Sequence, residues 1–130
     1  MSLSTGVVRS VLIKKNCIMD KLTHYKQIAK QIIESVLKKL AQVKDYESLN
    51  VVDDNHGHYL VMADGWENGT RNYGPIVHIQ VKEDGKVWLR YDGADLEIGQ
   101  ELLDMGIAPD DFVPAFHSPA MRRFTSFAAA

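Results

Sequence analysis

Between Leu22 and Val43 apolar residues return every three or four positions: Leu22, Tyr25, Ile28, Ala29, Ile32, Ile33, Val36, Leu37, Leu40 and Val43. Lys26, Lys30, Glu34, Lys38 and Lys39 fill the other side. This spacing predicts one amphipathic helix of about six turns, with Asp20 as its N-terminal cap. A stripe of this kind would also suit a coiled-coil partner. Packing on the chain's own sheet is the commoner outcome for a single helix.

The pattern then changes to short β-rich runs separated by turn residues. Residues 49–53 read as a first strand and Asp54-Asn55-His56-Gly57 as a turn. Residues 58–64 read as a second strand, ended by Gly65. Asn68-Gly69 is a strong tight-turn dipeptide. A third strand is expected from about Arg71 to Lys82, with Gly74-Pro75 marking a bulge or bend. Its alternation turns Val77, Ile79 and Val81 one way and Ile76, His78 and Gln80 the other. Glu83-Asp84-Gly85 makes a hairpin into a fourth strand, residues 86–91. Short connections favour antiparallel neighbours.

After Asp92-Gly93, the residues Ile98, Leu102, Leu103 and Met105 suit a short helix that Gly106 closes. Pro109-Asp110-Asp111 fits another helical turn or a capped loop. Pro114 and Pro119 make residues 112–118 extended or irregular, and residues 120–127 suit a last short helix. The fold class is therefore α+β. A long N-terminal amphipathic helix packs on a four-stranded antiparallel meander, and short C-terminal helices follow.

The chain has 130 residues, 45% apolar and 25% charged, which suits one globular domain and argues against disorder. No apolar run reaches the ~20 residues of a membrane helix. A single cysteine, Cys17, excludes an internal disulfide, and a cytoplasmic setting is expected. Residues 1–18 carry Arg9, Lys14 and Lys15 and no acid. They read as an extension to the domain of residues 19–130, expected as a loosely ordered arm or an added edge strand. Met19 is the expected usual start.

Charge is uneven within the domain. Lys21 to Lys44 holds six lysines against one acid, Glu34, whereas Asp92 to Asp111 holds seven acids and no base. The two stretches are of a kind to attract each other within the fold or to offer two docking faces.

Candidate chemistry is thin. His56 and His58 beside Asp53 and Asp54 have metal-ligand residue types, but no spacing of a known metal motif occurs. His78 lies mid-strand without a visible nucleophile or triad partner. Cys17 lacks an organised basic neighbourhood, and the glycines do not space as a phosphate loop. No catalytic residue, cofactor or metal is expected. Trp88 alternates with Val87 and Leu89, so Trp88, Ile76 and His78 are expected on a second, partly apolar sheet face. The C-terminal segment or another protein chain must cover that face.

Residues along the whole domain resemble the XisI family, the fdxN element excision controlling factors of cyanobacteria. The resemblance opens with Met19-Asp20-Lys21-Leu22-x-x-Tyr25 and passes through Gly65-Trp66, Arg71-x-Tyr73-Gly74-x-x-x-His78 and Lys86-Val87-Trp88-Leu89. It continues in Asp92-Gly93, Ile98-Gly99-x-Glu101-Leu102, Met105-Gly106-Ile107 and Pro109-x-Asp111-Phe112-Val113. Phe116-x-x-Pro119-x-x-Arg122 and Phe124-Thr125-x-Phe127-Ala128 complete it. Three positions depart from the pattern: Ala94 and Asp95, where a Thr-Glu pair is expected, and Ala115, where a glycine is usual.

The resemblance implies a small cytoplasmic α+β protein that controls excision of a DNA element by a site-specific recombinase. It implies a non-enzymatic accessory factor that binds a XisH-like protein of nuclease fold, with DNA contacted only through the recombination complex. No catalytic residue comes with it. Interaction residues are expected at Trp88, His78, Phe116 and Arg122, and a homodimer is a second way to close the open face. The alternative function is direct DNA binding through the lysine-rich helix or through Arg122 and Arg123. A third reading, less favoured, is a small metal- or His-dependent enzyme.

Overall fold

The computed structural model describes residues 6–43, 45–93, 96–122 and 127–128. Helix α1, Gly6–Leu40, is followed by strands β1, Tyr46–Asp53, β2, His58–Glu67, β3, Thr70–Val81, and β4, Val87–Asp92. Helix α2, Ile98–Asp104, a single 3-10 turn at Pro109–Asp111, strand β5, Phe112–Pro114, and helix α3, Pro119–Arg122, complete the order.

The sheet has five strands in the order β1-β2-β3-β4-β5, not the four expected. The first four form the antiparallel meander, and β5 adds in parallel to β4, with Val87 opposite Phe112 and Trp88 opposite Val113. The prolines of this stretch hid the strand. An edge strand tolerates Pro114, because only one side of it must bond a neighbour.

The helix also differs from its expected bounds. It begins at Gly6, so the backbone of residues 6–18 is helical where an arm or an edge strand is expected, and Asp20 lies inside the helix rather than at its cap. It ends at Leu40, and Val43, the last of the expected stripe, is exposed. Strand β2 runs through Gly65 to Glu67 and closes on Asn68 and Gly69. Both turn residues have positive φ (52° and 81°), the requirement that makes Asn-Gly the favoured two-residue hairpin.

Tyr25, Ile28, Ala29, Ile32, Ile33 and Val36 of α1 pack on Tyr59, Val61, Val77, Ile79, Val87 and Leu89 of the sheet. Ile98 and Leu102 of α2 and Ile107 and Phe112 extend this core toward β4 and β5. Fully burying such a side chain stabilises the fold by about 1.5–3 kcal/mol each.

Polar ties then hold the C-terminal half to the helix. Tyr25 Oη donates to Asp111 Oδ2 at 2.7 Å and accepts from the Ala108 N–H at 3.2 Å. Lys21 pairs with the same Asp111 carboxylate at 2.8 Å. Burial alone would raise the Asp111 carboxyl, but the Lys21 and Tyr25 hydrogen bonds hold it below its ordinary value. Lys39 Nζ lies 3.9 Å from Glu101. The basic helix and the acidic stretch thus meet inside one fold, at two points.

Candidate functional site

Both α1 and α2 lie on one face of the sheet. One residue along each strand, the other face carries Leu49 and Val51 on β1, His58, Leu60 and Met62 on β2, His78 and Gln80 on β3, and Trp88 and Arg90 on β4. These side chains are half-buried except Val51, which is 43% exposed. The cross-strand register assembles them: Leu60 stands opposite both Val51 and His78, and Gln80 stands opposite both His58 and Trp88.

Two bulges adjust the face. Val61 pairs with Val77 but Met62 pairs with Pro75, which leaves Ile76 as the extra residue. Ile76 therefore turns inward and is only 8% exposed, rather than joining His78 and Trp88 on the outer face as strict alternation predicts. The second bulge, between His78 and Ile79, leaves Arg90 as the extra residue of β4.

Trp88 is bracketed by cations. Lys82 Nζ lies 4.0 Å from the ring centroid and the Arg90 guanidinium 4.9 Å from it. Arg90 Nε donates to Gln80 Oε1 at 2.8 Å, which fixes the guanidinium beside the indole. Among the described residues neither Lys82 nor Arg90 pairs with a carboxylate. Cations over an indole face gain about 0.5–2 kcal/mol.

Beside this cluster, His58 Nδ1 lies 3.0 Å from His78 Nε2. One imidazole must donate and the other accept, a bond that two imidazolium rings cannot make. Burial, then the neighbouring His58, then Arg90 lower the proton affinity of His78 below the ordinary histidine value of 6.5.

The residues weighed as a metal set separate. His56 Nδ1 pairs with Asp53 at 2.8 Å, Asp54 takes Lys30 at 2.8 Å and the Tyr59 hydroxyl at 2.6 Å, and His58 turns to His78. Among the described residues no group of three or more His, Cys, Asp or Glu side chains converges on one point.

Of the four expected interaction residues, His78 and Trp88 share the outer face, on neighbouring strands. Phe116 does not join them. It is 50% exposed after β5 and lines a separate apolar cleft of about 210 Å³ with Gly99, Leu103, Phe112, Pro114 and Phe127. Arg122 ends α3. Arg123 and the Ala94-Asp95 departure lie outside the described residues. Lys82, Arg90 and His58 are the members of the cluster that sequence reasoning did not place there. Their signal is parity: 80, 82, 88 and 90 alternate with core positions on both sides of one hairpin.

A second aromatic–cation group sits at the far end of the same face. Arg71 lies 5.6 Å from the Trp66 ring and 5.0 Å from the Tyr73 ring, and it pairs with Asp64 at 2.6 Å. No helix among the described residues is long and apolar enough to cross a membrane.

Residues 19–129 match the family model described as XisI protein. The solved structure of the fdxN element excision controlling factor XisI from Anabaena variabilis ATCC 29413 is similar, at 32% identity and a TM-score of 0.74. The match covers 85% of this chain and 99% of that one. A XisI-like protein from the same strain is similar at 28% identity and a TM-score of 0.77, with 84% and 99% covered. No curated protein matches the chain. A family model that spans the domain from Met19 onward, and two solved structures that share its fold, lead to one conclusion: the chain belongs to the XisI family.

Proposed function

We propose that this protein is a non-enzymatic accessory factor that controls excision of a DNA element, and that it does so by binding a XisH-like protein of nuclease fold. Support for the excision role comes from the similar Anabaena protein, which is named a controlling factor. The observation that carries the binding role is the outer sheet face. Leu60, Met62 and Trp88 are half-open there among Lys82, Arg90 and two histidines, with both core helices on the opposite side. A face too apolar for a solvated surface and too polar for a core suits a surface that is wet when free and dry when bound.

Direct DNA binding through the lysine-rich helix has less support. Lys21, Lys30 and Lys39 pair with acids of the same chain, and Lys26 donates to the Asp54 carbonyl at 2.8 Å. Its signature would be affinity that falls steeply with salt.

The test is co-expression with the XisH-type protein of the same source, followed by size-exclusion chromatography. A joint peak that Trp88→Ala abolishes is the expected result. Two separate peaks with the unaltered chain would sink the reading.

A further inference from the structure

The two edges of the sheet are protected very differently. At one, β5 is three residues long, ends in Pro114, and its Phe112 carbonyl accepts the Ala128 N–H at 3.0 Å. At the other, β1 is eight residues long and pairs only with β2 among the described residues. Its register runs without a bulge from Tyr46↔Gly65 to Asp53↔His58. It contains no lysine, arginine or proline. Short length, bulges, prolines and edge charges, lysines above all, are the usual guards against strand addition; of these β1 has only the carboxylates Glu47 and Asp53 near its ends.

Nor does the helix shield it. Val52 sits on the α1 side of the strand, opposite buried Tyr59, yet remains 42% exposed. Val51, on the outer side, is 43% exposed, and Asn50 between them is exposed. The strand therefore offers a regular row of backbone donors and acceptors flanked by valines on both faces.

We infer that a second copy of this chain occupies the β1 edge, so that two five-stranded sheets join antiparallel about a two-fold axis. The strand's own sequence favours this occupant. In a continued sheet, paired residues share a face, which permits only registers with an even sum of residue numbers. Pairing centred on Leu49 sets Leu49 against Leu49, Tyr46 against Val52, Glu47 against Val51 and Ser48 against Asn50. An aromatic side chain then meets a β-branched one, and across residues 46–52 no like charges are opposed. Centring on Asn50 instead sets Glu47 against Asp53, and centring on Val51 sets Leu49 against Asp53. Of these three registers, only the Leu49 one keeps leucine against leucine and confines its carboxylate pair, Asp53 against Asp45, to the end of the strand. The joined sheet carries two outer faces side by side, each with its own Trp88 cluster.

The register makes the test specific. Light scattering on the full chain, from low-micromolar to high-micromolar concentration, should give twice the chain's mass. Leu49→Lys opposes two ammonium groups and should leave a monomer. Val51→Glu opposes Glu47 across the axis and should weaken the dimer about tenfold. Val51→Lys, facing the same Glu47, should keep it. Circular dichroism and thermal melting establish that each variant is folded. In a Cys17→Ser background, Leu49→Cys should form a disulfide-linked dimer on mild oxidation, because facing residues stand about 4.5–5.5 Å apart. Val52→Cys, which faces Tyr46, should not. A monomer at every concentration overturns the inference and leaves the edge to a strand of another protein. A dimer unaffected by Leu49→Lys, or one that cross-links through Val52→Cys and not Leu49→Cys, overturns it as well.

Discussion

On the inner face of the sheet, Tyr59, Val61, Val77, Ile79, Val87 and Leu89 are closed from solvent by α1 and α2. One residue further along the same strands, Leu60, His78, Gln80 and Trp88 stay half-open. The backbone is shared, so side-chain chemistry alone makes the difference. The inner set is aliphatic apart from the Tyr59 ring, whose hydroxyl reaches out to Asp54. The outer set mixes apolar bodies with groups that need water or a polar partner. Lys82 and Arg90 lie over the indole rather than on carboxylates, and the two histidines satisfy each other. The inner face has its partner already; the outer face has the composition of a surface that acquires one.

The sharpest contrast lies in the cost of truncation. Ile79→Ala empties a fully buried site and should destabilise the fold by about 3 kcal/mol in urea unfolding. Leu60→Ala, its neighbour on the other face, should cost about 1 kcal/mol, because the side chain is already half in water. Equal costs would mean that the outer face is core.

Next in size is Tyr25→Phe. It removes the hydroxyl that bonds the Asp111 carboxylate and the Ala108 N–H, and should lower stability by about 2 kcal/mol. Because it leaves the sheet untouched, its effect should not reach the outer face. Measured together with Trp88→Ala, the two losses should add within experimental error.

Trp88→Ala itself should cost about 1–1.5 kcal/mol of stability, less than a buried aromatic, while abolishing partner association.

The smallest effect is a slope. The fold lowers the proton affinity of His78, so the unfolded chain takes up the proton first. Stability should therefore fall as pH drops below 6.5, and level off once the folded His78 is itself protonated. His78→Gln should flatten this part of a thermal-melting series run from roughly pH 8 to roughly pH 5. An unchanged slope would remove the histidine pair from the pH response.

Much of the fold was legible because periodicity reports burial directly. The stripe from Leu22 to Leu40 gave the buried side of α1, and the alternation of Val77, Ile79 and Val81 gave the inner face of β3. The Asn68-Gly69 hairpin was legible because few dipeptides accept positive φ at both positions. What stayed hidden depends on pairing. Strand β5 is three residues long and its alternation is too short to register, and its parallel partners lie 25 residues back in the chain, Val87 for Phe112. The bulge that turns Ile76 inward is a property of two strands, invisible in either alone. The start of α1 at Gly6 lies upstream of the periodic stripe that marks the rest of the helix. In the candidate site, Trp88 and His78 were legible by parity. The bracketing of Trp88 by Lys82 and Arg90 depends on side-chain directions across a hairpin, which residue identity does not give. Phe116, the other aromatic residue expected at an interface, lines a separate cleft, which its sequence neighbourhood does not show.

The most direct test of the outer face as a contact surface is a paired titration. Affinity for the XisH-type protein is measured by calorimetry for the unaltered chain, Trp88→Ala and Leu60→Ala, with the melting temperature of each recorded alongside. Binding losses well above the stability losses, at both positions, are expected. Unchanged affinity in both variants, with intact melting temperatures, would contradict the assignment of this face.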